Sequence, residues 1–312
     1  VKYLSSAFKV LCILLLAEGA MAQDLDPRAY VRAPVNMNFV GAGFSYSDGD
    51  VVTDASLPLK NVKATLKATS LAVGHTFSMF RQTAQASVSL PYAWANASGT
   101  IGGGEKTASR TGLCDMRLRC SMLFLGAPAA TRDELKNASR RTVLGTSLTI
   151  SAPTGQYYPE KLINLGTHRW AVKPELALSQ PFGKRGLFDL YAGVWLFTKN
   201  DSYYTGNFTR AQDPMGSFQT HISYNINPGF WAAFDFTYYT GGQSTVNGVE
   251  MNDRQDNSRF GGTMVIPVGK LSSLKFAYST GAVIRNGADF TTVSVGWQMV
   301  FFGKSQKTEP KS

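Results

Sequence analysis

Long apolar runs are missing from this 312-residue sequence. Past its first residues, nothing approaches the ~20 consecutive apolar residues that a spanning helix needs. Mean hydropathy is −0.11, so a helical membrane protein is excluded. Cysteine is scarce, with 3 in the chain. Basic clusters are missing too. Net charge is +10, but the Lys and Arg are dispersed, whereas a nucleic-acid binder concentrates them. The three histidines, His75, His168 and His221, are scattered. There is no His-x-His or Cys-x-x-Cys spacing to hold a metal. Gly102–Gly104 has no following Lys-Ser/Thr, so it is no phosphate loop. No cofactor is expected, and enzymatic activity is not. Disorder is equally excluded, because 19 Phe, 13 Tyr and 5 Trp spread along the chain.

The first residues read as a secretory signal peptide over 1–22. Lys2 and Lys9 make a basic start, Val10 to Ala17 is a short apolar run, and Ala20-Met21-Ala22 is a small-x-small cleavage site. A membrane anchor is the alternative, and the run is too short for it. Cys12 precedes Leu14–Leu16, which argues against a lipoprotein.

What the chain does have is period-two alternation. In "GLCDMRLRCSMLFLG" (112–126), Asp115, Arg117, Arg119 and Ser121 share one face of a strand. Cys114, Met116, Leu118, Cys120, Met122 and Phe124 share the other. On a regular strand Cys114 and Cys120 stand ~20 Å apart, too far for a disulfide. The pattern recurs in segments of about ten residues, the length of a tilted membrane-spanning strand. Twelve are expected, near 36–47, 62–77, 83–97, 108–125, 141–152, 169–181, 187–198, 215–226, 229–240, 257–268, 273–285 and 290–302. The faces of the first two are unassigned. In the second, Lys63, Lys67 and His75 share a parity with Leu71 and Val73.

The connections alternate long and short, apart from a long one at 126–140 where a short turn is expected. Its "TRDELKNAS" suits one or two helical turns. A soluble β-sandwich alternates as well, but it has no reason to gather its long loops at one end. A transmembrane antiparallel up-and-down β-barrel does. Aromatics gather at strand ends as two girdles: Phe44, Tyr46, Tyr92, Trp94, Tyr203, Tyr204, Tyr238 and Tyr239 toward the long loops, and Phe124, Phe182, Tyr224, Phe276, Phe301 and Phe302 toward the turns. The expected organisation is a signal peptide at 1–22, a short periplasmic segment at 23–35, an all-β outer-membrane barrel at 36–303 and a polar periplasmic tail at 304–312.

Parity then assigns a lumen. Its candidate solute path is Asp115, Arg117, Arg119, Lys173, Glu175, Asp189, Gln219, His221, Asp235, Arg259, Lys275 and Gln298. Such a set reads either as an ion-pair ladder filling the barrel or as a selectivity lining. His221 and Ser223, two apart, suit a strand-borne hydrolase, but they share the inward face, away from lipid.

The stretches "LDPRAYVRAPVNMNF", "LPYAWA", "GLCDMRLR", "SAPTGQYYPEKLINLGTHRWAVKPELALSQPFG", "YYTGG" and "YSTGA" resemble a Gram-negative outer-membrane family labelled for a MetA pathway of phenol degradation. The resemblance covers nearly all of the chain after the signal, and residues 151–183 are its most specific part. It implies a barrel that takes up small aromatic or other hydrophobic compounds. Cys114 departs from it, standing where the family has Gly. So does the tail, "KSQKTEPKS", which follows the terminal aromatics. With only 13 residues from Gln23 to Val35, no N-terminal plug is expected. The reading is a channel for small molecules, aromatic acids among them, with outer-membrane lipid and the barrel-assembly machinery as partners. The alternative is a non-transporting structural or surface-interaction barrel with a filled lumen.

Overall fold

The computed structural model describes residues 25–52, 59–101, 104–161, 163–204 and 207–302. The expected signal peptide and polar tail lie outside them. The chain lays down β1 (Met37–Val52), β2 (Leu59–Met79), β3 (Gln82–Ile101), β4 (Gly104–Leu113) and β5 (Met116–Leu125). A short helix α1 (Arg132–Lys136) precedes β6 (Val143–Ala152), β7 (Ala171–Phe182) and β8 (Gly186–Phe197). Then come β9 (Asn200–Tyr203), β10 (Phe208–Gln212), β11 (Met215–Asn227), β12 (Phe230–Gly241), β13 (Ser244–Val246), β14 (Val249–Glu250), β15 (Gln255–Val268), β16 (Ser272–Val283) and β17 (Gly287–Phe302).

The large sheet is antiparallel, each strand pairing with its neighbours in sequence. It closes on itself where β1 pairs β17, from Met37↔Phe302 to Val52↔Gly287. β4 and β5 both pair with β3 and make one interrupted span. The result is a twelve-stranded closed barrel, as the alternation predicts. β9, β10, β13 and β14 form a separate small sheet in the long connections. Three short turns use glycine in the left-handed region, Gly183, Gly229 and Gly269, where a side chain is strained.

Burial follows parity. In β11, Ser217, Gln219, His221 and Ser223 are buried inward while Phe218, Ile222 and Tyr224 are exposed outward. An apolar belt of this kind around a polar interior suits hydrocarbon outside. β2 resolves its own ambiguity by length. Its 21 residues span about 70 Å, more than twice the ~30 Å of bilayer hydrocarbon. Lys63, Lys67, Leu71, Val73 and His75 all lie on the same, solvent-accessible parity, with Leu71 65% exposed. Leu71 and Val73 stand in register with Ala42 and Val40 of β1, Lys67 and Lys63 lie toward the loop end opposite Tyr46 and Asp50, and His75 lies toward the turn end opposite Asn38.

Two expectations are corrected. Cys114 does not share the face of Met116. Tyr92 pairs Leu113 and Ser89 pairs Arg117, so three residues oppose two and the strand bulges at Cys114–Asp115. The extra residue shifts parity, and Cys114 and Asp115 are both buried, Cys114 against Ala93 and Leu165. Tyr203 and Tyr239 are not girdle members. Both are buried, Tyr239 packing with Trp195 and Met215.

Candidate solute path through the lumen

The lumen has three storeys on its β5–β15 side. At the turn end, the chain before β1 folds back into the barrel, so the expectation of no plug is overturned. The Arg28 amide donates to Asp189 Oδ2 at 3.2 Å, its Nε to Ser223 Oγ at 2.8 Å and its Nη1 to Asn225 Oδ1 at 2.7 Å. The guanidinium lies 4.4 Å over the Trp231 ring. Ser179 Oγ donates to the other Asp189 oxygen. Pro34 is held by the Thr76 hydroxyl, which donates to its carbonyl at 2.6 Å.

Mid-barrel, Tyr30 is fully buried. Its hydroxyl donates to Glu175 Oε1 at 2.8 Å and lies 2.7 Å from Ser147 Oγ. Gly145 makes the room, since a Cβ there stands 2.6 Å from Tyr30 Cδ1. Lys173 Nζ reaches Glu175 Oε2 at 2.8 Å, and Arg119 Nη2 lies 3.9 Å from Glu175. Arg119 also sits 4.9 Å over the Tyr30 ring. Beside them His221 Nδ1 meets Asp235 Oδ1 at 2.7 Å, and Thr263 Oγ1 donates to Asp235 Oδ2 at 2.6 Å. Buried charge is costly unless it is paired and hydrogen-bonded, and each carboxylate here is.

At the loop end, the connection 153–170 folds inward and is tied to Asp115. The carboxylate accepts from the Gly155 amide at 2.9 Å, the Thr167 amide at 2.9 Å and the Thr167 hydroxyl at 2.6 Å. Gly155 and Gly166 let the two arms of the loop touch. A Cβ on Gly155 stands 2.7 Å from Gly166 Cα. Arg110 Nε donates to the Ile163 carbonyl at 2.8 Å. Arg169 donates to Gln212 and lies 4.3 Å over Phe197.

The opposite side, β1–β3 with β16 and β17, is different. Its inward positions are small, among them Gly43, Ser45, Ala68, Ser89, Ala93 and Ser294. They leave a cavity of about 430 Å³, lined also by Ile163–Leu165. Arg117 and Lys275 are its charged lining, and no carboxylate lines it among the described residues. Lys275 Nζ lies 3.1 Å from Asp26 Oδ1. A smaller cavity of about 50 Å³ adjoins Trp195, Phe197, Met215 and Arg169, and Arg117 lines it too.

The twelve residues expected to line a path therefore separate. Arg119, Lys173, Glu175, Asp189, His221 and Asp235 form the packed ladder. Gln219 is buried among them, and Arg259 donates to the Phe290 carbonyl. Asp115 is a loop anchor. Arg117 and Lys275 face the cavity, and Gln298 stands exposed at the turn-end mouth. His221 and Ser223 are both turned inward, with Ser223 committed to Arg28. Arg28 and Tyr30 join the lumen although the alternation of the strands does not single them out, and Arg169 joins it as well. Arg169 shares parity with Lys173 and Glu175, so its inward face was available from the alternation.

The family described as "Putative MetA-pathway of phenol degradation" matches residues 42–295. Among solved structures, the COG4313 outer membrane channel from Pseudomonas putida F1 is similar, at 21% identity and a TM-score of 0.75, covering 89% of this chain and 100% of that one. The transport unit of the autotransporter AIDA-I from Escherichia coli follows at 10% identity and a TM-score of 0.51, covering 93% and 96%. Comparison with curated proteins finds no match.

Proposed function

We propose that this chain, which belongs to the family described as "Putative MetA-pathway of phenol degradation", is an outer-membrane channel for small molecules with both termini in the periplasm. Solute passes along the β1–β3 and β16–β17 side. The supporting observation is the asymmetry of the lumen. One half is packed with paired carboxylates and the N-terminal segment, while the other keeps a cavity of about 430 Å³ behind small residues. Arg117 and Lys275, the latter paired with Asp26, are the charged residues of its lining. A cationic lining favours anions, and a guanidinium both pairs a carboxylate and stacks on a ring. Aromatic acids are therefore the favoured solutes over neutral aromatics.

The test is flux into liposomes carrying purified protein. Arg117→Gln slows benzoate at least threefold and leaves benzyl alcohol unchanged. Equal slowing of both solutes contradicts the anion preference. The packed half of the lumen favours a second reading, a non-transporting barrel, and absence of flux for either solute in the unsubstituted protein decides for it.

A further inference from the structure

The connection 126–142 is long where its neighbours at the same end are short turns. It folds across the turn end and is fixed there: the Val35 amide donates to the Ala130 carbonyl at 2.9 Å, and the Ala129 amide to the Arg81 carbonyl at 3.0 Å. Thr131 and Glu134 cap α1 reciprocally. Between this connection and the N-terminal segment lies a separate cavity of about 250 Å³. Arg28, Arg32, Arg140 and Arg141 all line it, and no carboxylate does among the described residues.

Four guanidiniums around one space repel each other unless something answers them. Their known partners are neutral or only partly compensating. Arg32 Nη1 donates to the Ser139 carbonyl at 3.0 Å, Arg140 to the carbonyls of Gly183 and Gly186, and Arg141 Nε to Ser139 Oγ at 3.3 Å. Arg28 feels Asp189, whose carboxylate is already shared between Ser179 and the Arg28 amide. Two donors remain without a partner although they are buried, Arg28 Nη2 and Arg32 Nε. Burial lowers Arg28 to about 10, Asp189 opposes that, and nearby Arg140 lowers it further. Burial also lowers Arg32, followed by repulsion from Arg141. All four arginines thus crowd one cavity with no carboxylate in its lining among the described residues. The remaining walls are apolar, with Val31, Leu135, Pro181 and Leu187.

We infer that this turn-end cavity is a binding site for a small organic dianion, a dicarboxylate with an apolar body. The two carboxylates answer the four arginines through paired N–H donors, and the apolar body lies on the Val31 and Leu135 side. The site is distinct from the passage along β1–β3. It requires no transport, and its occupancy is read in detergent micelles without any flux.

The experiment titrates the purified full chain with phthalate by calorimetry, with dimethyl phthalate and inorganic phosphate as comparisons. One phthalate binds per chain, at least tenfold more tightly than either comparison. The double variant Arg140→Gln/Arg141→Gln, on the outer side of the cavity, weakens phthalate at least tenfold. Lys199→Gln, at an exposed residue of the loop end that lines neither cavity, leaves it unchanged. Heat-modifiable gel mobility verifies that each variant keeps its barrel, and Arg140→Lys/Arg141→Lys, which preserves charge, supplies a second variant if the first does not fold. That pair weakens binding less than the Gln pair. No saturable phthalate binding, equal affinity for the dimethyl ester, or unchanged affinity in the Gln variant overturns the site. Phosphate binding as tightly as phthalate overturns the organic class.

Discussion

Replacing Asp115 by Ala releases the inward loop. The carboxylate is fully buried and accepts three hydrogen bonds from Gly155 and Thr167. Removing it strands two partly buried amide groups, at about 1–3 kcal/mol each, so the inward state loses roughly 2–6 kcal/mol. The lower bound corresponds to about 30-fold in the opening equilibrium, at a factor of ten per 1.36 kcal/mol. Other contacts persist, including the Gln156 amide to the Leu113 carbonyl at 2.8 Å and the burial of Ile163 and Leu165. The loop is therefore expected to open more often rather than to leave altogether. Hydrogen exchange in nanodiscs reads this directly. The Gly155 and Thr167 amides exchange at least tenfold faster in Asp115→Ala, while the Ser217 amide, in a barrel strand, does not change. Trypsin cuts sooner after Lys161, an exposed residue of the same loop. Asp115→Asn keeps one acceptor and falls between. Unchanged exchange at Gly155 and Thr167, with unchanged cutting at Lys161, refutes the anchor.

Three further outcomes are expected. Phe234→Arg, at an outward site 56% exposed, destabilises the barrel in lipid by ~2–4 kcal/mol if it lies near the midplane. Ser121→Arg, facing the lumen, costs less, and equal costs in vesicle refolding contradict the faces. Tyr30→Phe removes the donor to Glu175 and costs about 1.5–3 kcal/mol. Its conductance becomes noisier as the N-terminal segment loosens, and an unchanged melting temperature speaks against that segment as a structural part. An epitope placed in the 245–250 connection is labelled on intact cells, and one placed at 137–139 is not. Labelling at 137–139 inverts the orientation.

Much of this architecture is legible in the alternation. Period two separates Phe218 from Gln219 and Phe234 from Asp235 without any structure. It fails where the chain leaves the regular lattice. The bulge at Cys114–Asp115 is silent in sequence, because Asp115 still alternates correctly with Arg117 and only Cys114 changes face. Tyr238 and Tyr239 are adjacent, so the pleat sends one outward and the other inward, and it is Tyr239 that is buried. β2 confuses its own faces because the polar-to-apolar change runs along the strand as well as across it. Length alone argues against a plug in the 13 residues before the first strand. Few residues are needed when one Tyr and one Arg reach the ladder, and nothing local in "DPRAYVR" declares its distant partners, Glu175 and Ser223.

The central claim is that solute moves past the small residues of the β1–β3 side. Conductance and benzoate flux of Ala68→Trp/Ser294→Trp, which places two large side chains in that cavity, test it most directly. The account predicts that both fall at least tenfold in the double variant, while the barrel keeps its melting temperature and heat-modifiable mobility. Undiminished conductance and flux in a correctly folded double variant contradict the path.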